Sequence, residues 1–309
     1  MIEQGKEKEF VEALRETLLS RAAAKSNAEK RDNPEIVQQR RDMLESRFAQ
    51  MDALRFDRSM SDNALWRVAA TKPFYAGHTA STVDLYEEYM FCNYLSDIDA
   101  LSQDDWDVGN EMHSKFMDDP KCYNHSQDLS ETIRAAKNIV RWRSNYEGVS
   151  IAEGICWNIS DIEDEEYLYE IHKRICSMLK YTPVTGFHVM MELGFPVVKP
   201  DRVVNRIAVQ MGIIERYKKG ETIYILDEPI TTNRAVQLGR DAEFNWALQA
   251  ECRRIAKAAG ISMRLLDYML VKLGQVPDPD NGLVRTICTE VHPQCGICSV
   301  KPMCAHPRK

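Results

Sequence analysis

The residues with the clearest chemical potential are four cysteines. Cys288, Cys295, Cys298 and Cys304 are separated by six, two and five intervening residues. Thiolates are soft ligands, and four on one short loop can close around a single metal centre. An iron–sulfur cluster, a zinc ion and a pair of disulfides all use such a set. The loop lacks the two CxxC pairs of most zinc ribbons. Pro293 and Pro302 stiffen it, as a metal-loop turn requires.

Asp201 is the second candidate. It follows Pro200 and precedes a stretch with Val203, Val204, Ile207, Ala208 and Met211 on one helical face. An aspartate there caps the helix, and capping alone accounts for its presence. A carboxylate held at that point can also stabilise developing positive charge, or orient and deprotonate a water. The segment before it reads Gly194, Phe195, Pro196, Val197, Val198, Lys199, Pro200, which predicts extended chain. Residues 165–179 predict a helix, residues 180–186 a turn, and a short helix follows to Leu193. A turn between two helices can aim backbone N–H groups at a phosphate. An ordinary tight turn is the alternative.

The elements that must position these groups are helical. Apolar Phe10, Leu14, Leu18 and Leu19 form one stripe within a helix predicted over residues 2–30. Asp32, Asn33 and Pro34 interrupt it, and a second helix runs to about Leu54. Further helices are expected at 81–95, 131–140, 242–259 and 262–274. Residues 96–130 are acidic and read as irregular, with turns at Asp104, Asp105, Asp118 and Asp119. Negative charge at 161–166 suits a helix N-terminus. Residues 221–226 alternate like a strand, within an apparent insertion at 212–245 that is a surface hairpin or a lid. Pro73, Phe74, Tyr75, Ala76, Gly77 and His78 form a turn beside aromatic residues, read as a packed loop or a pocket wall.

The chain has 309 residues, enough for about two domains and a sizeable core. It begins without an apolar run, and no uncharged stretch approaches the roughly 18 residues of a membrane span. Cys92, Cys122, Cys156, Cys176 and Cys252 are scattered like buried thiols in a reducing interior. An intracellular location follows as an expectation. The net charge of −7 argues against nucleic acid, but its distribution does not. Residues 61–170 carry 8 basic and 22 acidic side chains, and residues 171–309 carry 20 basic and 13 acidic. A phosphate backbone could meet the C-terminal part while the acidic part faces away. A solvated surface of uneven charge is the plainer account.

The cysteine spacing resembles the cluster loop of the endonuclease III and MutY family of helix-hairpin-helix DNA glycosylases. The order of elements is similar: Ala136, Lys137, Asn138 and Ile139 on a helix before the hairpin, then the hairpin, the aspartate and the cysteines. Lys199, Pro200 and Asp201 resemble a variant seen in relatives of the 3-methyladenine glycosylases. Residues 264–275 are similar to the last helix before the cluster. The resemblance covers about 187–211 and 264–304. It does not cover the N-terminal helices or the insertion. Both glycines of the family's hairpin pattern are absent.

The resemblance implies an all-α, two-lobed glycosylase fold flanking a DNA groove. Lobe one would be 81–199, and a cluster-bearing lobe would combine 58–80 with 200–309. Residues 1–57 would be a helical extension, and a small β-hairpin an insertion. It implies a [4Fe-4S] cluster, with zinc as the alternative, on Cys288, Cys295, Cys298 and Cys304. It implies Asp201 as the catalytic carboxylate, and Thr182, Val184, Thr185 and Gly186 as hairpin contacts to double-stranded DNA carrying a modified base. A monomer is expected. Many members carry a hairpin lysine that attacks the sugar. Here Pro183 or Val184 takes that place, so a monofunctional enzyme leaving an abasic site is expected, although Lys180 and Lys199 lie close in sequence. Tyr75, Trp157 and His188 are the pocket candidates, and Lys301, Arg308 and Lys309 candidate phosphate contacts. The alternatives are an inactive iron–sulfur DNA-binding protein and a metal-stabilised helical interaction module.

Overall fold

Helical periodicity governs most of the chain, and the computed structural model is mostly helical, with one two-stranded antiparallel sheet among the described residues. These residues are 2–22, 33–75, 80–275, 277, 282–284 and 286–307. Residues 76–79 (with Gly77 and His78), the expected break at Asp32, and Arg308 and Lys309 lie outside them. Two units divide the chain: Met1–Leu54 with Pro196–Lys309, and Arg55–Phe195.

The first unit opens with α1, Glu7–Thr17, whose Phe10, Val11 and Leu14 are buried. Asn33 caps α2, Pro34–Ala53, by accepting a hydrogen bond from Glu35 N, and Pro34 fills the first turn, where a missing N–H costs nothing. Leu44 and Phe48 of α2 are buried with Phe10 and Leu14 among residues of 196–309. The helices α1 and α2, expected to belong to an extension over 1–57, therefore contribute to that unit's core. Buried Glu7 confirms how tightly they join it, pairing with Arg254.

The second unit holds α3 (Asp62–Ala70), α4 (Ala80–Met90), α5 (Ile98–Leu101), α6 (Glu111–Asp118), α7 (Ser126–Asn145), α8 (Ile151–Ile155), α9 (Glu165–Leu179) and α10 (Pro183–Glu192). Residues 58–80, expected with the cysteine loop, fall in this unit. Trp66 is fully buried and donates to Leu95 O at 2.7 Å, while the Tyr181 hydroxyl donates to Ala69 O at 3.1 Å. Residues 96–130 are not irregular throughout, since they contain α5 and α6. Their acidic residues act locally: Asp97 caps α5 through Ala100 N. Asp164 caps α9 through Glu166 N and Tyr167 N, as the charge placement suggested. Asp62 ties three helices together, accepting from Arg143 at 2.9 Å and from Ile151 N at 2.7 Å.

Back in the first unit come α11 (Arg202–Met211), β1 (Arg216–Lys219), β2 (Thr222–Ile225), α12 (Thr232–Gly239), α13 (Ala242–Ala259) and α14 (Met263–Gly274). The strands pair with Arg216 opposite Ile225 and Lys219 opposite Thr222. Asp241 caps α13 and also accepts from Lys219 Nζ at 2.7 Å, which pins this hairpin to the unit.

Gly194 shows how closely the second unit is packed. Its φ is +93°, and a Cβ there would lie 2.5 Å from Arg55 C and 2.6 Å from Phe56 N. Gly194→Ala must strain both backbone and neighbour, at a cost on the order of 2–3 kcal/mol. Urea denaturation is expected to show a lower midpoint with an unchanged slope.

Candidate functional site

The site is built on the extended segment 196–201. Such a segment has backbone groups to satisfy and no neighbouring strand. Gln249 of α13 supplies both partners: its Oε1 accepts from Val198 N at 2.8 Å, and its Nε2 donates to Val198 O at 2.8 Å. Gln249 and Val198 are fully buried. One residue on, Lys199 N donates to Asp267 Oδ1 at 2.8 Å. A tight turn over Pro200 follows, with Asp201 N donating to Lys199 O at 2.7 Å. Asn205 closes it, donating from Nδ2 to Pro200 O and Ala235 O.

This framework leaves Asp201 little freedom. Its Oδ1 accepts from Val203 N at 2.8 Å and Val204 N at 2.9 Å, capping α11. Its Oδ2 lies 3.7 Å from Lys199 Nζ, and the side chain is 23% exposed. One oxygen is thus fixed by two amides at the positive end of a helix, and the other faces a cation at the surface. Beneath it, burial pushes the Asp267 carboxyl up to about 7, with Arg264 and the Lys199 amide opposing and Asp201 adding to the rise.

The far end of α11 seats the cysteine loop. Arg206 donates to Gly274 O at 3.1 Å and to Cys288 O at 2.8 Å. Cys288 N donates to Leu273 O, Ala305 N to Met211 O, and His306 N to Gln210 O. Gln210 also donates from Nε2 to His306 O. A helix of ten residues spans about 15 Å, so one rigid rod joins the carboxylate to this loop. From α1, Thr17 Oγ1 accepts from Ser299 N at 3.0 Å.

All four cysteines line one small cavity, with Met211, Ile287 and Lys301. No group of three His, Cys, Asp or Glu side chains among the described residues forms a ready-made metal-ligand set. The donor chemistry suits a thiolate-bound centre nonetheless. Burial pushes the Cys288 thiol up to about 12, against the Arg206 guanidinium, so a cation is what would displace its proton. Burial also raises Cys298, and the Val300 amide, the Thr17 hydroxyl and the Lys301 amide oppose it. Burial raises Cys304, opposed by the His306 amide and the Gln210 side chain. Hydrogen bonds to sulfur and nearby cations stabilise the negative charge that four thiolates bring.

The expected hairpin residues lie in the second unit. Thr182 caps α10, its Oγ1 accepting from Thr185 N at 3.3 Å, and Pro183 follows at the first helical position. Thr182 is exposed and Val184 half-buried, whereas Thr185 and Gly186 are buried. Gly186 N donates to Thr182 O within the helix, and a Cβ there would lie 2.4 Å from Cys176 Sγ. The glycine thus allows α9 and α10 to approach. Lys180 takes the left-handed conformation, φ 55°, at the end of α9.

Tyr75 and His188 meet edge to face, with ring centroids 5.6 Å apart. The Tyr75 hydroxyl donates to Asp84 at 2.6 Å, with Glu87 at 3.1 Å. Burial and these carboxylates hold its phenol well above the ordinary value. Trp157 is 58% exposed, and Arg174 binds its carbonyl, so it does not join them. Lys301 is exposed.

Sequence reading missed Gln249 and Asp267. Their signal is a polar residue on an otherwise apolar helical face: Asn245, Gln249 and Cys252 share the buried side of α13, and Asp267 lies among Leu266, Met269 and Leu270. Comparison of the chain with family models, with curated proteins and with solved structures finds no match.

The raised Asp267 sets a pH dependence. Its folded value, about 7, lies above the ordinary 3.8, so its contribution to stability is fully present below about pH 4 and is lost as pH rises through about 7. Asp267→Asn keeps the acceptor for Lys199 N without the charge. The stability of wild type relative to this variant is expected to fall between about pH 4 and pH 7 and to level off above, read as urea midpoints; parallel profiles would contradict it.

Proposed function

We propose that the protein is a DNA N-glycosylase that takes a modified or mismatched base out of the duplex and hydrolyses its N-glycosidic bond, leaving an abasic site. The observation that carries this reading is the Asp201 carboxylate. It is fixed at the tip of α11 with one oxygen at a partly exposed surface, and the far end of the same helix holds a four-cysteine loop. This is the order of parts that the resemblance to endonuclease III and MutY implies.

The chemistry needs such a group. Departure of the base builds positive charge on the deoxyribose, and a carboxylate that cannot swing away stabilises that charge without reorganising. The same oxygen can orient the attacking water and accept its proton. Lys199, 3.7 Å from Asp201, is placed to meet a phosphate flanking the extruded nucleotide. Pro183 or Val184 takes the place of the nucleophilic lysine in the family that the chain resembles, so hydrolysis without strand cleavage is the expected outcome. Cys288, Cys295, Cys298 and Cys304 would hold a [4Fe-4S] cluster, which when bound would tie the loop to one point beneath α11.

Asp201→Asn is expected to keep the fold, because asparagine also caps helices. It should lower base release from a panel of modified duplexes roughly a hundredfold or more, scored as abasic sites. Equal release by wild type and variant would remove Asp201 from the mechanism. No release from any duplex, with salt-sensitive binding retained, would instead favour an inactive DNA-binding protein.

Protein purified without oxygen is expected to be brown, absorbing broadly at about 400 nm, with iron and acid-labile sulfide. Cys298→Ser should lose the colour and lower the thermal midpoint. A colourless wild type containing zinc would replace the cluster with a single ion.

A further inference from the structure

A groove in the second unit belongs to none of the chemistry above. Arg134, Lys137, Asn138 and Arg141 of α7 line it, in a volume of about 240 Å³. Trp106 and Ile133, both buried, supply apolar wall, and Asp107 is the one carboxylate among the described lining residues. Residues 61–170 hold only 8 basic side chains against 22 acidic ones, yet three of those basic residues converge here. With three cations and one carboxylate, the lining carries a formal +2.

The polar groups are set for an anion. Arg134 donates one guanidinium N–H to Lys180 O at 3.1 Å, which orients the rest of its fork. Lys137 pairs with Asp107 at 2.6 Å. Exposed Arg141 has no ion-pair partner among the described residues. Asn138 Nδ2 is buried without a hydrogen-bond partner among them. A buried donor lacking an acceptor is unfavourable, and a ligand oxygen removes that cost.

We propose that this groove binds a small phosphomonoester dianion, with its phosphate against Arg134, Arg141 and the Asn138 amide and its ester group against Trp106 and Ile133. The charge of the lining matches a dianion, and guanidinium forks suit phosphate oxygens. The acidic excess over residues 61–170 disfavours an extended polyanion such as DNA more than a compact ligand. The buried amide requires a group that enters the groove rather than one that passes over it.

The test is calorimetric titration of the full chain with inorganic phosphate, with phenyl phosphate and with a short duplex DNA at fixed salt. Phenyl phosphate is expected to bind saturably and more tightly than inorganic phosphate. Arg141→Gln and Asn138→Ala should each weaken it about tenfold while leaving duplex binding unchanged. Arg141 is exposed, so its variant reports even if Asn138→Ala fails to fold. The proposal is overturned if neither phosphate binds saturably, or if Arg141→Gln leaves phenyl phosphate affinity unchanged. Loss of duplex binding alone in that variant would assign the groove to a nucleic-acid backbone and overturn it equally.

Discussion

A single amide side chain does the work of an absent strand. Residues 196–201 run extended through an apolar core, where their backbone groups have no water and no neighbouring strand. Gln249 satisfies both polar atoms of Val198, and Asp267 takes the next amide. Everything downstream inherits its position from these bonds: the turn over Pro200, the start of α11, and the direction of Asp201. Because α11 is buried along most of its length and grips the cysteine loop through Arg206 and Gln210, the same bonds also set where that loop sits.

Local rules made much of the helical framework legible. The limits of α9 and α11 follow from Asp164 and Asp201, each a capping residue at the head of an apolar stripe, whereas α10 begins at Pro183 behind the Thr182 cap, inside residues 180–186 that read as a turn. The hairpin of β1 and β2 showed in the alternation at 221–226. What local rules could not show is which segments share a core. The charged α1 and α2 read as an appendage, yet Phe10, Leu14, Leu44 and Phe48 bury among residues some two hundred positions away in sequence. The acidic stretch 96–130 read as irregular because α5 and α6 are short and their caps look like turn signals.

The candidate chemistry was legible to the same degree. Asp201 and the four cysteines stand out by residue type and spacing. Tyr75 and His188 do come together, whereas Trp157 points to solvent. Gly186 serves helix packing rather than a solvent-facing turn. The supporting partners, Gln249, Asp267 and Thr17, are ordinary polar residues whose importance arises only from long-range contact.

The split of the chain has a bearing on how it reaches this state. Residues 55–195 form a continuous unit and can complete their core while later segments are still being synthesised. The other unit cannot. Its α1 waits for Arg254 and Ser299, so the apolar stripe of Phe10 and Leu14 stays uncovered on the nascent chain until those residues have left the ribosome. That interval is when the protein is most exposed to aggregation and to chaperones, and it ends only when the cysteine loop arrives to close the core.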